Sequence, residues 1–190
     1  RPIPSILRGF SAPVVLDRDV PQSERAFLLA HDTDPFNRWE AGRALAKDVL
    51  ARMVTQGAKP SADLLDGMAR LAFDDSLDPA FRALALRLPS EDDMAATLHA
   101  SGHVPDPARI HTARRALGLA LAEKLACGLA ELEQSCRVEG PFSPEAAPAG
   151  KRALRLAALA LLTRLDGGKA AETAFVQATN MTESFGALGI

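Results

Sequence analysis

Tyrosine is absent from the 190 residues, tryptophan occurs once, and aromatic residues together make up 5%. Sheets draw on aromatic and β-branched side chains, so this poverty speaks against a β fold. Cysteine is nearly as scarce, with Cys127 and Cys136 alone. Both fall in what reads as one helix, where nine steps of 1.5 Å separate them by about 13 Å; a disulfide tolerates roughly 7 Å between Cα atoms. Reduced thiols and a cytoplasmic setting are therefore expected. An excess of either charge is missing too: 22 basic side chains face 24 acidic ones, for a net charge of -2. That balance offers no electrostatic footprint for nucleic acid or an anionic membrane. No apolar run approaches the roughly 20 residues of a membrane helix, and no signal peptide opens the chain. Gly-x-Gly-x-x-Gly, a phosphate-binding loop and Gly-x-Ser-x-Gly are all absent, and Gly167-Gly168-Lys169 lacks the spacing of a phosphate cradle.

What is present is alanine and leucine, within a 47% hydrophobic and 24% charged composition. A chain of this length buries roughly 70% of its unfolded surface, enough for an ordinary core. The fold class expected is all-α: an irregular α-solenoid of antiparallel helices, preceded by a short β-strand segment. The strand segment is residues 4–16, where Pro2, Pro4 and Pro13 precede or interrupt a run ending in Val14, Val15 and Leu16. Proline confines such a run to an edge, and one or two strands make no sheet alone. From Pro21 the period changes to 3.6, with Phe27 and Leu28 facing inward. Asp34-Pro35 reads as cap and first residue of a long helix whose apolar stripe is Trp39, Gly42, Ala46, Val49 and Met53, closed by Gly57. Ser61 opens the next helix, with Leu64, Leu65, Met68 and Leu71. Asp78-Pro79 opens a short one, and Ser90 with Asp93 forms a capping box. Asp106-Pro107 opens the longest, to about Cys136, with Ile110, Leu117, Leu121, Leu125, Leu129 and Leu132 on its inner face. Residues 140–150 read as a loop, Lys151 to Leu165 as a helix ended by Gly167-Gly168, and 169–178 and 182–190 as two short helices. A chain that starts at Arg1 and ends in exposed apolar residues reads as a piece that lacks neighbours at both ends.

No catalytic set emerges from the side chains. His99 and His103 have the spacing of zinc ligands on one helix face, yet the stretch His-Ala-Ser-Gly-His holds no Glu to serve as base, and Gly102 and Pro105 put His103 at a helix end. Solvated loop histidines are the plainer reading. His31 beside Asp32 sits where a helix dipole welcomes it, and His111 falls in a first turn, close to the preceding one. The acidic pairs Asp32 with Asp34, Asp74 with Asp75 and Asp92 with Asp93 read as helix caps rather than as acid–base pairs. Trp39 with Phe36 reads as core, while Arg114 and Arg115 fit a solvated face and a face turned to an absent neighbouring domain equally well. Asn180-Met181-Thr182 matches a glycosylation acceptor, a pattern common by chance.

Two longer blocks say more than their periodicity. Pro4-Ser5-Ile6-Leu7-Arg8-Gly9-Phe10-Ser11-Ala12-Pro13-Val14 resembles a signature of the bacterial alanyl aminopeptidases (aminopeptidase N) of the M1 zinc metallopeptidase family. So do Ala26-Phe27-Leu28-Leu29-Ala30-His31-Asp32 and Asp34-Pro35-Phe36-Asn37-Arg38-Trp39-Glu40-Ala41. Leu88-Pro89-Ser90-Glu91, Asp106-Pro107 with His111, and Asn180-Met181-Thr182 follow in the family's order. The resemblance implies an armadillo- or HEAT-like superhelix, with residues 1–20 the terminal strand region of a β-sandwich domain and 21–190 the first part of a C-terminal helical domain. It further implies zinc bound upstream by His-Glu-x-x-His, together with a Gly-Ala-Met-Glu-Asn exopeptidase motif. Neither motif occurs in this sequence, so the resemblance carries over no catalytic, cofactor-binding or metal-binding residue.

On this reading the chain walls the substrate chamber of an enzyme that removes N-terminal residues from peptides. Its partners are then the upstream catalytic and β-sandwich domains and the peptides themselves. The alternative is a free-standing helical-repeat module that binds a protein segment, for which an edge strand at 4–16 would have no use. A small helical enzyme fails for want of a nucleophile or base. For the thiols the expected outcome is direct: unfolded without reductant, Cys127 and Cys136 both react with a thiol reagent, and recovery of an intramolecular disulfide from fresh protein would contradict it.

Overall fold

The Asp-Pro pairs do what their chemistry dictates. The computed structural model describes residues 2–14 and 18–190, and among them finds nine α-helices, a 3-10 turn at Arg8–Phe10 and no strand. The helices are α1 (Gln22–His31), α2 (Pro35–Gln56), α3 (Ala62–Ala72), α4 (Pro79–Ala85), α5 (Glu91–Ala100), α6 (Pro107–Ser135), α7 (Ala146–Asp166), α8 (Lys169–Gln177) and α9 (Met181–Leu188). Asp34 caps α2 by accepting from the Asn37 amide at 3.0 Å, and Asp78 caps α4 by accepting from Ala80 and Phe81. Proline then fills the first helical position, where its missing N–H has no intrahelical partner to lose. Ser90 and Asp93 close a reciprocal box at the start of α5. Gly57, at φ 66, ends α2 in the left-handed conformation that its neighbours could not adopt cheaply.

The helices divide into two units. The first comprises Arg1–Arg70 with Leu88–Leu117, the second Leu71–Arg87 with Gly118–Ile190. In the first, α1 and α5 pack on α2. Leu29 is 2% exposed and fits where two glycines make room. A Cβ at Gly42 would lie 2.8 Å from one of its methyls, and a Cβ at Gly67 2.7 Å from the other. In the second, α4, α8 and α9 pack on α7, over a small cluster of Leu159, Ala174 and Ala187. Each unit also buries its own part of the α6 face: Ile110, Ala113 and Leu117 in the first, Leu121, Leu125, Leu129 and Leu132 in the second.

Two arginines join consecutive helices at their ends. A helix terminus leaves its last carbonyls without partners, and burying them unpaired is costly. Arg38, the fourth residue of α2, donates Nε to the Leu29 carbonyl at 2.8 Å and Nη2 to that of Ala30. Arg82, the fourth residue of α4, directs Nε and Nη2 to the Ala72 carbonyl at 3.0 and 2.5 Å. Both are buried, in the pattern Asp-Pro-x-x-Arg, and the two copies start 44 residues apart (78 minus 34). Repeats of armadillo or HEAT type run to about 40–47 residues.

Several expectations change. The described part of 4–16 forms no strand: Leu7 and Gly9 are left-handed, at φ 59 and 63, and the prolines withhold ladder donors. Val15 and Leu16 lie outside the described residues. The loop expected over 140–150 ends at Glu145, because Pro148 sits in the first turn of α7, where no intrahelical N–H bond is lost. Phe27 is 47% exposed and Leu28 only half-buried; α1 turns Leu29 inward instead. Trp39 is half-buried under the Arg43 guanidinium, and Phe36 beside it is exposed, so this pair is not core.

Replacing Arg82 by Met should cost about 2–3 kcal/mol in denaturant unfolding, the scale of losing charge-assisted bonds to a buried carbonyl. Arg82→Lys should recover less than half, because an ammonium cannot reproduce the planar fork. An Arg82→Met chain as stable as the native one would refute this role.

Candidate functional site

Most of the polar side chains singled out in the sequence are engaged at helix ends. Asp34 uses one carboxylate oxygen for the α2 cap and the other for the Gly9 amide at 2.7 Å. Those amides, Asn37 first and then Gly9, hold its carboxyl below the usual range. Asp32 accepts from the Asp34 amide and from Arg8. Asp74 closes a turn with Ser76, and Asp75 meets Arg82 at 2.9 Å. Asn180 is the cap of α9: its carbonyl oxygen accepts from the Glu183 amide and its Nδ2 donates to the Glu183 carboxylate at 2.6 Å.

The histidines do not converge. His99 lies exposed in the last turn of α5, and His103, also exposed, lies beyond it after Gly102 at φ 78. His31 stacks on Phe27 with ring centroids 4.8 Å apart. His111 is not turned to its own preceding turn but reaches Glu91 of α5, Nδ1 to Oε1 at 2.9 Å. Arg114 joins that carboxylate at 3.4 Å and donates Nε to the Pro89 carbonyl at 2.6 Å, so it is half-buried while Arg115 alone faces solvent. The Glu91 carboxyl is lowered by the His111 bond first and the Arg114 charge after it. Among the described residues no three His, Cys, Asp or Glu side chains are grouped as a metal would require. No described helix is long and apolar enough to cross a membrane. Cys127 is exposed, Cys136 buried, and neither is bonded to the other.

Sequence reasoning missed the buried ions. Arg155 of α7 joins Glu133 of α6 at 2.7 Å and Glu183 of α9 at 2.5 Å, with all three side chains about nine-tenths buried. Burial works against the Arg155 charge, but the hydrogen bonds and attraction of Glu133, then Glu183, raise its pKa nonetheless. Periodicity finds apolar faces and so passes over an Arg placed among them. The repeated Asp-Pro-x-x-Arg was the available signal for Arg38 and Arg82; Arg155 has none.

Two surface features remain without internal partners. A shallow groove of about 370 Å³ runs between the end of α2 and the first turns of α6, lined by Met53, Val54, Ala113 and Ala116 with Arg109 and Thr112. On α8 and α9, Ala171, Ala174 and Ala187 face inward, while Val176, Met181, Phe185 and Leu188 are each more than two-thirds exposed. Neither holds a nucleophile beside a base.

Comparison with known proteins gives this arrangement a context. Residues 22–190 match the family described as "Domain of unknown function (DUF3458_C) ARM repeats". The chain is 40% identical over 201 aligned positions to aminopeptidase N of Caulobacter vibrioides and 30% identical over 196 to that of Escherichia coli K12, covering 98% and 99% of itself. It spans 22% of the length of each, about a fifth. Among solved structures, Legionella pneumophila aminopeptidase A in complex with aspartic acid superposes with a TM-score of 0.82 at 27% identity, over 99% of this chain and 23% of that one.

The capping box generates a pH dependence. The Ser90 amide and hydroxyl, and then Arg43 at 2.8 Å, hold the Asp93 carboxyl down from 3.8 to about 2. A lowered folded pKa gives stability that is present above the unfolded value and lost as pH falls through the folded one. The native chain should therefore exceed Asp93→Asn in thermal midpoint at pH 7, with the gap closing between about pH 4 and 2. A gap unchanged at pH 2 would contradict it.

Proposed function

This chain belongs to the DUF3458_C family of ARM-repeat helical domains, and on that premise we propose that it is the non-catalytic helical segment of a zinc-dependent aminopeptidase, walling the chamber in which peptides lose their N-terminal residues. The observation that carries this reading is the near end-to-end match to a minor part of the Caulobacter enzyme. Residues 1–20 are assigned to the terminal strand region of a β-sandwich domain, and 21–190 to the first part of the helical domain. An edge segment without its sheet forms no ladder, in keeping with the turn-containing path of residues 2–14.

Zinc does not fit the described residues. A catalytic site needs three protein ligands around an open position, with a carboxylate base for the bound water. Here the closest pair, His99 and His103, is divided between a helix end and a loop, and the carboxylates are held by amides and arginines at the caps. The metal is thus assigned to the parent enzyme outside this chain, as are the reacting groups. The proposed partners are the upstream domains and the peptide substrates. The two unpaired thiols favour a cytoplasmic setting.

A second reading, a helical-repeat module that docks another protein, is favoured by one observation: the exposed apolar side chains of α8 and α9.

The chain alone, supplied with zinc and an alanyl chromogenic amide at high protein concentration, should show no turnover. Activity that follows the protein through purification and disappears with a chelator would overturn the non-catalytic assignment.

A further inference from the structure

Residues 5–9 are held on the corner between α1 and α2 by side chains alone. Arg8 forks across it, Nη1 to Asp32 Oδ1 at 3.0 Å and Nη2 to Thr33 Oγ1 at 2.7 Å. The Gly9 amide donates to Asp34 Oδ2 at 2.7 Å. Asn37 returns the contact from α2, its Nδ2 donating to Ser5 Oγ and to the Ile6 carbonyl, both at 2.8 Å. Arg8 also donates to Ser5 Oγ at 3.1 Å, closing the turn on itself. Five groups of the segment thus meet four consecutive polar positions of the corner, Asp32, Thr33, Asp34 and Asn37, with only the Pro35–Phe36 step between.

We propose that this corner is a recognition surface for the turn Ser-x-x-Arg-Gly, and that residues 5–9 form a releasable strap seated in it. Two features oppose the closed state. Leu7 is left-handed, a conformation that a branched side chain disfavours. Asp32 Oδ2 is buried with no hydrogen-bond partner, while the side chain as a whole is 1% exposed. Two others let the strap leave without cost to the helices. The α2 cap uses Asp34 Oδ1, not the Oδ2 that holds Gly9, and the end of α1 is satisfied by Arg38 rather than by Arg8. Opening is then a local event of the kind that native-state exchange resolves. The proposal does not depend on the aminopeptidase reading, and its test involves no peptidase assay.

Hydrogen exchange on the full chain tests it. In the native chain the Gly9 amide should exchange at least about tenfold more slowly than an unstructured amide, the factor that one charge-assisted contact supplies. Arg8→Ala and Asn37→Ala should each remove most of that protection while leaving the amides of α2 unchanged. Arg8→Lys should restore only part, since one ammonium cannot fork to Asp32 and Thr33. Adding a synthetic peptide of residues 2–14 to the Arg8→Ala chain should slow exchange at the corner amides, and the same peptide lacking the Arg should not. An unprotected Gly9 amide in the native chain would overturn the strap, as would protection unmoved by either variant. Loss of α2 protection together with that of Gly9 would overturn its release as a separate unit. A peptide that binds equally without its Arg would overturn the recognition.

Discussion

Everything in this fold depends on what is done with the carbonyls at buried helix ends. Short helices multiply those ends, and each end presents groups that must find partners beyond the helix's own ladder. Here one five-residue pattern serves two helices at once. Its Asp caps the start of its own helix, and its Arg reaches back to the last carbonyls of the helix before. The pair of helices is thereby set end to start by directional bonds, and the apolar faces then fill in. A guanidinium suits this task because it offers parallel donors on a long stem and stays charged when buried.

Most of the sequence blocks that resemble the aminopeptidases meet one another in space. Ser5 to Gly9 seats on Asp32 to Asn37, and Glu91 meets His111 and Arg114. Asn180 caps α9 and supports Glu183, which in turn holds Arg155. These are joints between elements.

Much of the fold was legible because proline, aspartate and glycine mark helix ends through local chemistry. The starts at Pro35, Pro79 and Pro107 and the stops at Gly57 and Gly167 follow from backbone groups within a few residues. The inner face of α6 followed from period alone, since a long helix averages over many turns. What did not follow was set by distant partners. Leu29 displaced Phe27 as the buried residue of α1 because the glycines that receive it lie on other helices. Trp39, expected in the core, is half-buried beneath the Arg43 guanidinium. The strand expected near the start required a sheet, and a sequence of alternating residues cannot supply one. Of the candidate site, the placing of His103 beyond the end of α5 was readable from Gly102, whereas the partner of His111 was not.

The seat of Leu29 has a consequence for how such chains drift. Two methyl groups of one leucine occupy the volumes that two Cβ atoms would need, so positions 29, 42 and 67 behave as a single inherited character. A methyl gained at either glycine forces the Leu29 side chain to shift, and a smaller residue at 29 would relieve it. Exchange among the three is a trade of volume at fixed total, and variants that change one position alone are the ones selection would discard.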